Sequence, residues 1–185
     1  MPTLSPEQAL FLLNAAALPS LKSEHPVTRN VIGAIPAERS DFRPDGISRS
    51  ALDLAWHIAA SEIRFLDAVV SGVFNFGGAQ RPEAIRAPAD IVAWYAEEFS
   101  KQVDRLRAAS GETLAKVIDF RGLFQLPAVS FVQIGLSHAV HHRGQLSMYL
   151  RPMGARVPSI YGESYDARQA REKAQLSARR PVFSR

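Results

Sequence analysis

The sequence predicts an all-α protein, a four-helix bundle, on three observations. Apolar residues recur at three- and four-residue steps through several long segments, the period of a helix buried on one face. Prolines, glycines and capping serines divide those segments at helix-like lengths. Hydrophobic residues make up 46% of the chain and charged residues 22%, and 185 residues suffice for one domain with a sizeable core.

Taken in order, Ser5 reads as an N-cap, with Pro6 at the first helical position and Glu7 and Gln8 in the first turn. A short helix over Pro6–Leu18 is expected to stop at Pro19. Ser20 or Ser23 restarts helix, Pro26 lies near its first turn, and Val27, Val31, Ile32 and Ile35 keep helical spacing up to Pro36. The segment Pro36–Ile47, with two prolines, one glycine and five charges, is a loop.

Ser48 or Ser50 caps the next helix, which runs to about Ser71 with Leu52, Ala55, Trp56, Ala59, Ile63, Leu66 and Val70 on its apolar face and Gly72 at its end. Gly77, Gly78 and Pro82 mark a long connection. A third helix begins after Pro88 and reaches about Ser110, burying Ile91, Trp94, Tyr95, Phe99, Val103 and Leu106, with Gly111 closing it. Val117, Ile118 and Phe120 suit a short strand or an extended loop, with Gly122 at a turn. Pro127 opens a last long helix to about Leu150, apolar nearly all round and so buried on more than one face. The bundle is expected to occupy residues 1–165, and a basic tail with a mobile end 166–185.

Composition limits the function. With no cysteine there is no disulfide, thiolate nucleophile or thiolate ligand, in keeping with a cytoplasmic location. The longest apolar runs fall short of the ~20 residues a bilayer span needs, and no signal peptide is read. Much of the net charge of +4 sits in the tail, at Arg168, Arg171, Lys173, Arg179, Arg180 and Arg185. Such a tail can touch nucleic acid or an acidic partner. No groove-reading motif accompanies it, so a solvated terminal segment is the simpler reading.

Three of the five histidines fall in His138-Ala139-Val140-His141-His142. On a helix, His138 and His142 point only about 40° apart, one turn along, close enough for two imidazoles to share one ion. Gln145 and Tyr149 lie on the same face, and His141 stands about 60° to the other side, a candidate supporting donor. A third ligand should come from a facing helix, and His57 is the candidate, with Asp53, Ser61 and Arg64 on its own face. The simpler readings are a hydrogen-bonded core histidine at His57 and a solvated pair at His138 and His142. Against the second, an apolar helix makes unpartnered imidazoles costly.

The stretch His138-Ala139-Val140-His141-His142-Arg143-Gly144-Gln145-Leu146, followed by Tyr149-Leu150-Arg151-Pro152-Met153-Gly154 and Val157-Pro158-Ser159-Ile160-Tyr161-Gly162, resembles the DinB family (DinB/YfiT-like). So do Ile35-Pro36, Phe42-Arg43-Pro44, Ser48-Arg49-Ser50 and Leu54-Ala55-Trp56-His57. The likeness runs from about Thr28 to Tyr165. It departs at the ends, where Pro19 and Pro26 interrupt the first helix and the basic tail has no counterpart. The resemblance implies a four-helix bundle, often dimeric, with His57, His138 and His142 on a divalent ion.

Zinc or nickel suits three imidazoles best, with manganese, iron and cobalt as further candidates. Three neutral histidines and an open fourth position describe a catalytic site. The expected activities are a metal-dependent hydrolase or, as the resemblance implies, a transferase using a low-molecular-weight thiol, each acting on a small molecule. The alternative is a non-catalytic, metal-stabilised bundle associated with a stress or DNA-damage response. Arg64 and Arg143 are candidates for an anionic substrate, although Arg143, about 140° from His138, should point elsewhere. A small-residue strip of the last helix, Ser130, Ser137 and Gly144 beside Met148, lies between its two apolar faces and suggests a homodimer.

Overall fold

Ser5 caps the first helix as its sequence implies: its hydroxyl accepts from the Gln8 amide, while the Gln8 side chain accepts from the Ser5 amide. The computed structural model, which describes residues 3–77 and 80–178, carries helix α1 over Pro6–Leu12. The expected break at Pro19 does not occur. Leu13–Ala17 form a single wide turn, in which the Leu18 amide bonds the Leu13 carbonyl, and α2 continues over Leu18–Gly33. A proline ring collides with the carbonyl four residues before it, and the wide turn displaces that carbonyl. Pro26 lies inside α2, with Lys22 and Pro26 both exposed, so the carbonyl left unbonded at Lys22 can reach water. Both prolines sit on the solvent side, which is why they interrupt the hydrogen-bond ladder without ending the rod.

Helix α3 (Ala51–Ser71) starts at Ser50, whose side chain accepts from the Asp53 amide, and ends at Gly72, which takes the left-handed conformation at φ 77°. Helix α4 spans Pro88–Ala108. Gly111 does not simply close it. Ser110 caps a further short helix, α5 (Gly111–Ala115). Strands β1 (Val117–Phe120) and β2 (Phe124–Pro127) pair antiparallel, Val117 opposite Pro127 and Phe120 opposite Phe124. Arg121 and Gly122, both at positive φ, make the turn. Helix α6 covers Ser130–Leu150 and begins three residues after Pro127, which belongs to the hairpin. The tail is not featureless: α7 runs over Tyr165–Ala178, tied to the body by Asp166 through Arg151 and the Val157 amide. Gly78 and the basic residues Arg179, Arg180 and Arg185 lie outside the described residues.

The bundle consists of the α1–α2 rod, α3, α4 and α6, with α3 packed along both α4 and α6, and α2 against α4 and α6. Helices α3 and α6 run antiparallel, since His57 meets His142 while Phe65 meets Gly135. The core is built of Leu, Ile, Val and aromatic residues from all four, including Leu21, Ile32, Ile58, Leu66, Ile91, Tyr95, Leu106, Phe131 and Leu146. Two ionisable groups, a carboxyl and a guanidinium, are buried within it. Glu62 is 2% exposed and receives the Tyr95 hydroxyl; burial pushes its pKa up to about 8, so it is held neutral. Arg143 is 1% exposed and pairs with Glu24 at 2.7 Å. No helix among the described residues is long and apolar enough to cross a membrane.

Candidate metal centre

The three histidines singled out by spacing converge from two helices. The facing residues His57 on α3 and His138 and His142 on α6 bring their rings together, with centroids 4.9 Å (His57–His138), 4.6 Å (His57–His142) and 4.4 Å (His138–His142) apart. One nitrogen from each lies within 4.8 Å of the others, and among the described residues this is the set of three or more His, Cys, Asp or Glu that can hold a metal ion. What sets the approach of the two helices is Gly135. A Cβ there would stand 2.6 Å from Phe65 Cβ, so only glycine lets α3 come this close.

A hydrogen bond fixes which nitrogen of His142 is free. Gln145 Oε1, which can only accept, lies 2.7 Å from His142 Nδ1, so that nitrogen carries the proton and Nε2 presents a lone pair. The amide of Gln145 in turn donates to His141 Nε2 at 3.2 Å. His57 Nδ1 faces the Ser61 hydroxyl at 3.4 Å, leaving its Nε2 turned to His142 Nε2 at 3.3 Å. His138 Nδ1 is buried with no hydrogen-bond partner. Two nitrogens on one tetrahedral zinc ion at ~2.05 Å stand roughly 3.3 Å apart, so the His57–His142 spacing suits a shared ion. The residues present therefore fit a divalent cation.

The electrostatics favour bare imidazoles. Burial above all, then the charge of Arg49 and the neighbouring histidines, lowers His57 to about 4. Burial and the other histidines bring His138 to about 4 as well. His142 is lowered too, chiefly by burial, although its bond to Gln145 acts the other way. Neutral imidazole is the form that binds metal.

The other residues expected near the site divide. His141 and Gln145 join His142 through hydrogen bonds, and Tyr149 lines the adjoining cleft. Arg64 is half-buried on the His57 face of α3, and its charge also depresses His57 and His138, but it does not line that cleft. Asp53, one turn from His57, is engaged by Arg43 and Arg81 and adds no carboxylate to the set. Arg143 turns away, as its angle implied, to Glu24, Thr28 and Tyr161. Two contributors lie outside the sequence reading. Phe65 packs 6.0 Å from the His138 ring, and Arg49 lines the cleft beside His142. Arg49 appears in the sequence only within Ser48-Arg49-Ser50, directly before the Ser50 cap, with no pattern that marks it as part of the site.

The cleft, of about 770 Å³, is walled by Pro44, Ile47 and Ser48 of the loop before α3, by Arg49 and Leu54, and by His142, Gln145, Met148 and Tyr149 of α6. Its volume suits a small molecule.

A helical bundle with three histidines gathered from two facing helices is thus the class this structure defines. The chain belongs to the DinB family, whose model matches residues 12–175. That match extends past both ends of the resemblance read from motifs, into α1 and α7. The chain is similar to the uncharacterized protein YjoA of Bacillus subtilis strain 168, 27% identical over 135 residues that make up 71% of this chain and 85% of that protein. The crystal structure of that DinB-like protein superposes with a TM-score of 0.65 at 24% identity, covering 78% of this chain and 96% of the other. A DinB-like protein from Bacillus cereus superposes with a TM-score of 0.68 at 22% identity, covering 80% and 97%. These likenesses show the fold.

Proposed function

We propose that this protein binds one divalent metal ion, zinc or nickel, on His57, His138 and His142 and uses it on a small molecule held in the adjoining cleft. The activity would be a metal-dependent hydrolase or a transferase that uses a low-molecular-weight thiol. The observation that carries this reading is that His142 is at once a member of the three-histidine set and part of the cleft wall. A site serving only stability would have no reason to open onto a space of that size.

When bound, the ion supplies a Lewis acid that acidifies a water or thiol at its open position. The protein's own residues do the rest. Three neutral imidazoles leave the ion's charge uncompensated. Gln145 holds the His142 ring in the tautomer that offers Nε2, and the Ser61 hydroxyl, beside His57 Nδ1, can accept that nitrogen's proton when Nε2 binds the ion. Phe65 and the neighbouring aromatic residues keep water from the His138 side.

Cobalt-substituted protein tests this. Its visible absorption should titrate between about pH 7 and 8 as a water at the open position ionises, and added thiols should change the spectrum. A spectrum indifferent to pH over that range and to every thiol would mean a closed, non-catalytic site.

A further inference from the structure

The cleft has a charge pattern that narrows its occupant. Among the described residues, Arg49 is the charged residue in its wall, and no carboxylate lines it. The surrounding arginines are satisfied: Arg43 and Arg81 both reach Asp53, at 3.6 and 3.4 Å, and Arg43 also donates to the Ser48 carbonyl at 2.6 Å. Arg49 is exposed and makes no ion pair or hydrogen bond among the described residues. It shares the cleft wall with His142, one of the three histidines. The remaining wall is largely apolar, with Leu54 buried and Met148 74% exposed at the rim.

An unpaired guanidinium beside a site of uncompensated positive charge is electrostatically incomplete. It presents a planar fork that matches a carboxylate in two parallel hydrogen bonds. A phosphate ordinarily gathers several cationic or amide donors, and the cleft wall contributes one guanidinium.

We infer that the small molecule this site takes bears a carboxylate, which docks on Arg49 while its reacting end faces His142 and its apolar body lies against Leu54 and Met148. Arg49 is a positioning and specificity residue. The inference rests on the metal-site reading above and names the substrate class for it.

The test compares two thiols that differ in a carboxylate, mercaptoacetate and 2-mercaptoethanol, each titrated into the cobalt-substituted full-length protein and followed by absorption. The quantity read is the ratio of their dissociation constants, compared between proteins so that intrinsic differences between the thiols cancel. In Arg49→Gln the preference for mercaptoacetate should fall about tenfold or more, the size of one charge-assisted contact. Affinity for 2-mercaptoethanol should fall less than that for mercaptoacetate, and its retained binding shows that the variant is folded. Arg49→Lys should retain part of the preference, because it keeps the charge and loses the fork.

Arg64→Gln is the control for the general field and should change the ratio less than Arg49→Gln. An unaltered ratio in Arg49→Gln, or an equal loss in Arg64→Gln, overturns the inference while leaving the metal site standing. If neither thiol changes the wild-type spectrum, the site is closed, and the proposed activity fails together with this inference.

Discussion

Replacing Gly135 by alanine should loosen the contact that brings the two histidine-bearing helices together. The added Cβ would lie 2.6 Å from Phe65 Cβ and 2.9 Å from Phe65 Cγ. Carbon atoms rest at about 3.5–4.0 Å, so α3 and α6 must separate by roughly 1 Å at this level. Both groups are buried, and overpacking of this kind costs about 1–3 kcal/mol. Alanine recovers about 1 kcal/mol of helix propensity, leaving a net loss of about 1 kcal/mol and at most about 2.

The functional effect should exceed the structural one. Ligand distances tolerate only about ±0.2 Å, so the shift draws His57 away from His138 and His142, and zinc affinity should fall at least about tenfold. Urea unfolding of the metal-free protein gives the first quantity, and zinc titration against a competing chelator the second. Gly33→Ala is the control. Its Cβ would meet Val92 Cγ2 at an ordinary 3.8 Å, so stability should hold or rise by up to about 1 kcal/mol. A Gly135→Ala protein as stable as wild type, with the same zinc affinity, would refute this account of how the helices approach.

The metal-free protein should be most stable near pH 6.5. His25, His57 and His138 sit near 4 against an ordinary 6.5, so below 6.5 the unfolded chain takes up protons the folded one refuses, and stability falls toward pH 4. Glu62, raised to about 8 from 4.5, acts oppositely: its contribution is full below 4.5 and lost as pH rises through 8, which lowers stability between 6.5 and 8. Urea midpoints in chelator at pH 5, 6.5 and 8 check this, and a highest midpoint at pH 5 or 8 contradicts it. We also propose a dimer through the outer strip of α6, where Ser137, Gly144 and Met148 are exposed in the single chain. Sedimentation at micromolar concentration should give a dimer that Met148→Glu dissociates; a wild-type monomer would count against it.

The long amphipathic helices and the histidine pair were legible because their signals are local. A period of 3.6 places His138 beside His142 whatever the rest of the fold does. His57 needed tertiary structure to meet them, and only its helix context and the family likeness suggested it. The prolines misled for a physical reason: Pro19 and Pro26 read as helix breakers, yet both lie on a solvent-facing side where a lost hydrogen bond costs little. The hairpin arm at Val117–Phe120 was ambiguous because four residues are too few to separate strand from loop by periodicity. Helix α7 buries no residue, so it has no apolar stripe to betray it. Arg49 was invisible for another reason. A single cation before a helix cap has no pattern, and its meaning comes from the cleft and from the partners it lacks.

Metal content per chain tests the central claim most directly. Protein purified without added nickel, measured by elemental mass spectrometry, should carry about one divalent ion per chain, because the proposed ligands all come from that chain. Alanine at His57, His138 or His142, one at a time, should each lower occupancy sharply. His25→Ala should not, since His25 is stacked on Phe99 in the core and is not one of the three. Full occupancy in the His57→Ala protein, or loss in His25→Ala equal to that in the other three, would contradict the account.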